Sequence, residues 1–305
     1  MTTNIKYMDE KDGFLALTPL RVNAPYEHVT YENAKVVVIP FGLEQSVSYG
    51  LGTHRGPQAM IKASSEVELF DETLWCEPFR YIKAITMVEP EIVQPLEKAV
   101  DQLEGLVRHV LAEGKFPMTF GGEHSITAGT IRPFAEKYPD LHMLHFDAHA
   151  DLRDGYEGEH YSHASALRRC LDHENITLVS CGIRNISQEE IPFLEANRHR
   201  IHMHWGKDIK KWKVQEIIKP LIGKTVYLTF DLDGFDASLM PATGTPEPGG
   251  MFWADAIEII EEAAKVCTIV GADINELAPV DSLHGPDFLA AKLAYRILAL
   301  AIPKD

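Results

Sequence analysis

Cysteine is scarce in this 305-residue chain: four residues, Cys76, Cys170, Cys181 and Cys267, with no CxxC spacing. That excludes a disulfide framework and a cysteine-built zinc knuckle, and it fits a reducing compartment. Positive charge is also in short supply. The 29 Lys and Arg face 45 Asp and Glu, a formal net charge of −16. Nucleic acid and anionic membranes both call for basic surfaces, so neither partner is expected. No apolar run approaches the roughly 20 residues of a membrane-spanning helix. The first residues, Met1 to Lys6, lack the basic-then-apolar layout of a secretory leader. A cytoplasmic protein is expected. The acidic surplus remains to be explained, because carboxylates serve equally as solvated surface, steering field or metal ligands.

What is present is regular alternation. Residues 1–34 are polar and weakly patterned, and read as an N-terminal arm or lead-in. From Lys35 onward, short apolar runs bounded by turn residues read as buried strands. They are Val36 to Ile39, Phe116 to Phe120, Leu141 to Phe146, Ile176 to Cys181, Thr225 to Phe230 and Thr268 to Ala272, with a weaker one at Tyr81 to Val88. Between them Leu96, Ala99, Val100, Leu103, Val107, Val110 and Leu111 keep one apolar stripe at helical spacing. Ala254 to Val266 and Asp287 to Ala301 do the same. The alternation predicts βαβ units, a mostly parallel sheet covered by helices on both faces, and one domain over 35–305.

Ligands in open parallel α/β sheets bind beyond the carboxyl ends of strands, so the residues after each run are informative. Four runs are followed by polar groups: Gly121-Gly122-Glu123-His124-Ser125, Asp147-Ala148-His149-Ala150-Asp151, Asp231-Leu232-Asp233 and Asp273-Ile274-Asn275-Glu276. One aspartate after a strand is ordinarily a helix cap. Independent capping is an awkward explanation for four such segments at one sheet edge. Extended backbone alternates its faces, which allows Asp147, His149 and Asp151 to point together, and likewise Asp231 and Asp233. So many anions repel unless cations compensate them. One or two divalent ions would do so, and the nitrogen and oxygen ligands suit Mn first, then Fe, Co, Ni or Zn.

Together with Gly52-Thr53-His54-Arg55-Gly56-Pro57 and Thr243-Gly244-Thr245-Pro246-Glu247-Pro248-Gly249-Gly250, these segments resemble the ureohydrolase family of arginases, agmatinases, formiminoglutamases and guanidinobutyrases. The resemblance covers nearly the whole chain. It implies an arginase-like three-layer α/β/α fold, a centre of two Mn2+ ions, and hydrolysis of a guanidino compound to urea and an amine by a metal-bridging hydroxide. It further implies one metal on His124, Asp147, Asp151 and Asp231, and the other on His149, Asp147, Asp231 and Asp233. Asp147 and Asp231 would bridge. Asp233 would also steady the tetrahedral intermediate, His163 would shuttle protons, Glu276 would hold the guanidinium, and Thr245 would lie close to it. Asp236 is read as a support or cap, and His160 as a rival to His163. The family also suggests a homo-oligomer, trimer or hexamer, with the lead-in as a contact element.

Within the family, Arg153 stands where arginases carry an Asn that meets the substrate α-carboxylate. The stretch Tyr156 to His163 and the tripeptide Gly182-Ile183-Arg184 are similar to bacterial and archaeal agmatinases. Agmatine, hydrolysed to putrescine and urea, is therefore the expected substrate, with guanidinobutyrate as the alternative. Glu157 and Glu159 are candidates for holding its ammonium end, against the plainer reading of two solvated loop charges. Arg153 could instead meet a carboxylate tail, unless Asp154 already engages it. A non-catalytic metal-binding protein of the same fold is the alternative of a different class.

Overall fold

Apolar runs bounded by turn residues become strands where both faces can be covered. The computed structural model, which describes residues 5–22 and 25–304, shows this for each run except the weaker one at Tyr81 to Val88. Residues 1–4, which carry most of the leader reading, and residues 23–24 of the lead-in lie outside the described residues. The strands are β1 (Val36–Phe41), β2 (Ala84–Thr86), β3 (Phe116–Gly121), β4 (Leu141–Phe146), β5 (Ile176–Ile183), β6 (Ile201–Trp205), β7 (Thr225–Asp231) and β8 (Thr268–Asn275). They form one sheet in the order β2-β1-β3-β8-β7-β4-β5-β6. Every pairing is parallel.

Helices cover both faces. The helix Leu96–Ala112 buries every residue of its expected stripe. It packs with Thr127–Lys137 against the face carrying Val37, Ile39, Leu141 and Met143. The helices Trp253–Val266 and Gly285–Ala301 serve the opposite face, around Val36, Val38, Val226 and Leu228. This is the three-layer α/β/α architecture. Among the described residues, no helix is long and apolar enough to cross a membrane.

Two local expectations need correction. Tyr81 to Val88 is not one strand, because a short helix, Phe79–Ile82, ends at Lys83 in a left-handed conformation (φ +46°) before β2 begins. The edge strand β6 escaped the sequence reading. Its segment Ile-His-Met-His-Trp is mostly half-buried and pairs only with β5, so it carries no continuous apolar run. The lead-in is more than polar: Phe14, Leu15, Leu17 and Val22 are buried in the core beneath the sheet.

Candidate metal centre

The four strands whose ends carry the polar segments, β3, β8, β7 and β4, lie side by side in the middle of the sheet. Parallel pairing therefore brings His124, Glu276, the Asp231 segment and the Asp147 segment to one edge. Close approach is needed between the last two. A Cβ on Gly234 would sit 2.8 Å from the Asp147 backbone nitrogen, so only glycine lets the β7 loop lie against the end of β4. Asp151 (φ +52°) and Glu276 (φ +68°) adopt left-handed backbone that non-glycine residues seldom accept. Such strain persists where surrounding contacts impose it, often at working sites.

The side chains converge on two neighbouring foci. Nδ1 of His124 faces Oδ2 of Asp147, Asp151 and Asp231 at 3.2, 3.1 and 3.4 Å. Nδ1 of His149 faces Oδ2 of Asp233 at 3.0 Å and Oδ1 of Asp147 at 3.6 Å. Asp147 thus turns one oxygen to each focus. Asp231 faces His124 with Oδ2, while its Oδ1 accepts the Asp233 backbone N–H at 2.9 Å. His124 is buried, and none of its three carboxylate neighbours meets Nδ1 in hydrogen-bond geometry. An orphaned buried nitrogen amid carboxylate oxygens is the donor set a divalent first-row cation takes.

Protons alone satisfy this set badly. Burial pushes the Asp231 carboxyl well up, and the charges of Asp233 and Asp147 push it further. Burial and the charge of Asp147 likewise raise Asp151 to about 7. Burial also opposes ionisation of Asp147, but the close imidazoles of His124, His145 and His149 hold its carboxyl well below the usual range. On His124 burial disfavours the charged ring, yet Asp147, Asp151 and Asp231 outweigh it and raise the imidazole pKa. Adjacent carboxylates pushed in opposite directions mark a centre that needs cationic charge.

A cleft of about 300 Å³ opens onto this centre and is lined by His163, Thr245, Glu276, Arg153, Tyr156 and Glu247 among others. Glu276 is buried, and its Oε1 accepts the His124 backbone N–H at 2.7 Å. Thr245 Oγ1 lies 3.4 Å from Asp233 Oδ2. Ser46 positions His163, its hydroxyl accepting the His163 backbone N–H at 2.9 Å and lying 3.3 Å from Nδ1. Glu123 in turn fixes Ser46, accepting from its N–H and hydroxyl at 2.7 Å each. Burial pushes the His163 imidazole pKa below its ordinary value, against the pull of the Glu123 charge.

Some candidates stand apart. Glu157 and Glu159 are not among the residues lining the cleft; Glu159 caps a local turn through the Tyr161 backbone N–H. Glu247 and Glu190 line the cleft instead, and both oxygens of Glu190 already accept backbone N–H groups, from Leu152 and Ser187. His160 packs against Arg169 and Tyr161, away from the lining residues. Arg153 pairs with Glu189 and lies over the Tyr156 ring at 4.8 Å; Asp154, the expected partner, binds Arg169 at 2.7 Å. Asp236 is a loop anchor, its Oδ2 accepting the N–H groups of Gly249 and Gly250 at 2.7 and 3.1 Å.

Sequence reasoning missed two residues. His145 is buried, with Nε2 at 2.9 Å from Asp147 Oδ2 and Nδ1 at 2.6 Å from Ser180 Oγ. The signal was there, since 145 precedes 147 and 149 in the same two-residue alternation. Arg184 ties two segments to its own through backbone carbonyls: Asp233 at 2.7 Å, and Glu247 and Pro248 at 2.8 and 3.1 Å. Nothing in a lone arginine announces that clamp.

A family model, that of the arginase family, matches residues 34–300. The chain belongs to the arginase family. The N(1)-aminopropylagmatine ureohydrolase of Synechocystis sp. is 32% identical over 280 residues, covering 88% of this chain and 90% of that protein. The agmatinase of Bacillus anthracis is 33% identical over 259 residues, 83% of this chain and 87% of that one. The crystal structure of agmatine ureohydrolase of Thermoplasma volcanium aligns with a TM-score of 0.79 at 31% identity, covering 89% of this chain and 91% of that one. With family membership goes the enzyme class read from the motifs, a ureohydrolase.

Proposed function

We propose that this arginase-family enzyme hydrolyses agmatine to putrescine and urea at two divalent cations, manganese first among them. The observation that carries this reading is the cleft itself, with a buried carboxylate, Glu276, beside the His–Asp centre and no free cation on its wall. Arg153 is the one guanidinium or ammonium among the described lining residues, and Glu189 already pairs with it. A carboxylate-tailed substrate such as guanidinobutyrate would meet no open positive partner there. An ammonium tail meets Glu247.

The residues fit the cofactor that the reading requires. His124, Asp147, Asp151 and Asp231 would hold one ion; His149, Asp147, Asp231 and Asp233 the other. Ions so placed supply water activated for attack at neutral pH. The protein supplies the rest. Glu276 offers its carboxylate to the planar fork of guanidinium N–H donors, and burial strengthens that pairing. Thr245 and Asp233 flank the same space. With Nδ1 of His163 turned to Ser46, Nε2, 3.5 Å from Ser48 Oγ, is the nitrogen open to move a proton to the leaving amine.

A second reading has specific support: the Synechocystis relative bears the name N(1)-aminopropylagmatine ureohydrolase. An aminopropyl extension would lengthen the cationic tail while leaving the reacting group unchanged. Comparing kcat/KM for urea release from agmatine and from N1-aminopropylagmatine separates the two. We also infer a single catalytic domain over 35–305 in a cytoplasmic protein, and a homo-oligomer, the last supported by the exposed aromatic pair of Trp75 and Phe70.

A further inference from the structure

Beneath the metal centre lies a polar group that the chemistry above does not use. The Asp273 carboxylate is buried on β8 and accepts from several side chains. Thr229 Oγ1 and Asn275 Nδ2 approach its Oδ1 at 2.6 and 2.7 Å; Tyr227 OH and Thr130 Oγ1 approach its Oδ2 at 2.6 and 3.1 Å. Thr127 Oγ1 lies 3.2 Å from Oδ2. Thr229 Oγ1 also lies 3.0 Å from Nε2 of His124.

We propose that Asp273 and Thr229 form a relay that fixes the ring of His124 with hydrogen on Nε2, reserving Nδ1 for a metal ion. Hydrogen counting fixes the tautomer. Two oxygens 2.6 Å apart need a hydrogen between them. Amide, phenol and hydroxyl donors meet both oxygens of Asp273, which act as acceptors, so the hydrogen is that of Thr229. A threonine hydroxyl has one hydrogen, so toward His124 its oxygen must accept. Nε2 therefore carries hydrogen, and Nδ1 is the nitrogen able to present a lone pair. Nδ1 is the atom facing Asp147, Asp151 and Asp231. Backing a ligand imidazole in this way fixes its orientation and raises its basicity, typically at a level of about 10- to 100-fold in metal affinity.

The inference rests on the two-ion reading of the site, and on His124 belonging to one ion alone. Its test is Mn2+ binding to metal-free protein, with free Mn2+ counted by electron paramagnetic resonance, for wild type, Thr229→Val and Thr229→Ser. Wild type should bind two Mn2+ per chain. Thr229→Val should weaken one of the two dissociation constants about 10- to 100-fold and leave the other unchanged, and Thr229→Ser should restore it. Should Thr229→Val fail to fold, Thr229→Ala carries the same expectation, because it too removes the hydroxyl that accepts from Nε2. Unchanged constants in the variants overturn the relay while leaving the two-ion site standing. Equal weakening of both ions with a lower melting temperature of the metal-free protein also overturns it, as a packing effect. Wild type that binds fewer than two ions overturns the underlying reading instead.

Discussion

Glu276 and His124 are joined directly: Oε1 of the glutamate accepts the backbone N–H of the histidine at 2.7 Å. They sit beyond the ends of β8 and β3, which pair in parallel from Met118 and Ala272. The carboxylate proposed to hold substrate is thereby fixed against the segment proposed to hold metal. Its other oxygen, Oε2, lies near Gly244, where a Cβ would stand 4.0 Å away.

Glu276→Gln keeps an oxygen for the His124 N–H and removes the charge. Urea release should fall roughly 10- to 100-fold in kcat/KM, the loss of a charge-assisted pairing worth about 1.5–3 kcal/mol. Bound manganese, measured by elemental analysis, should stay at the wild-type level. Metal loss in this variant would place Glu276 among the ligands.

His163→Ala should lower kcat by about 10²- to 10⁴-fold, the usual range for a general acid or base. Ser46 and Glu123 would stay in place, so metal content and melting temperature should match wild type. A drop in manganese alongside kcat would assign His163 to the centre rather than to proton transfer.

Glu247→Gln should raise KM for agmatine while leaving turnover of n-butylguanidine, which lacks the ammonium, near wild type. The pair of substrates isolates the tail. Equal effects on both would show that the variant disturbs the loop clamped by Arg184 instead of removing a charge partner.

Asp236 gives a pH prediction. The Ser238 hydroxyl, against burial, and then the N–H groups of Ser238, Gly249 and Gly250 pull its carboxyl from 3.8 down to about 2. A depressed carboxyl stabilises the fold fully above its unfolded value and ceases to do so as pH falls through the folded one. The group is half-buried and reaches solvent, so its contribution is screened to below about 1 kcal/mol. The unfolding free-energy difference between wild type and Asp236→Asn should therefore shrink as pH falls from about 5 to about 2. A difference that grows with acidity would contradict the assignment.

How much was legible follows from where the constraints lie. Buried parallel strands must be apolar on both faces, so β1, β3, β4, β7 and β8 show as continuous runs, and the groups after them show by contrast. The edge strand β6 is under no such demand, and its His-Met-His centre hid it. The convergence of His124, the Asp147 segment and the Asp231 segment was readable because each stands at or just beyond the end of its strand. The cleft wall was not. Glu157 and Glu159 are near His163 in sequence, but the turn at Tyr156–Glu159 holds them off the lining, while Glu247 arrives from a loop that Asp236 and Arg184 fold back. The Arg153–Glu189 pair joins residues 36 apart and follows no local rule.

The central claim is tested most directly by urea release from the manganese-loaded protein. Agmatine would be assayed beside N1-aminopropylagmatine, arginine, guanidinobutyrate, guanidinopropionate and guanidine, with Asp147→Ala as control. The account predicts the highest kcat/KM with agmatine and none above background in Asp147→Ala, whose lost carboxylate faces both foci. A higher value for any other of these compounds, or no urea from any compound with manganese demonstrably bound, would contradict it.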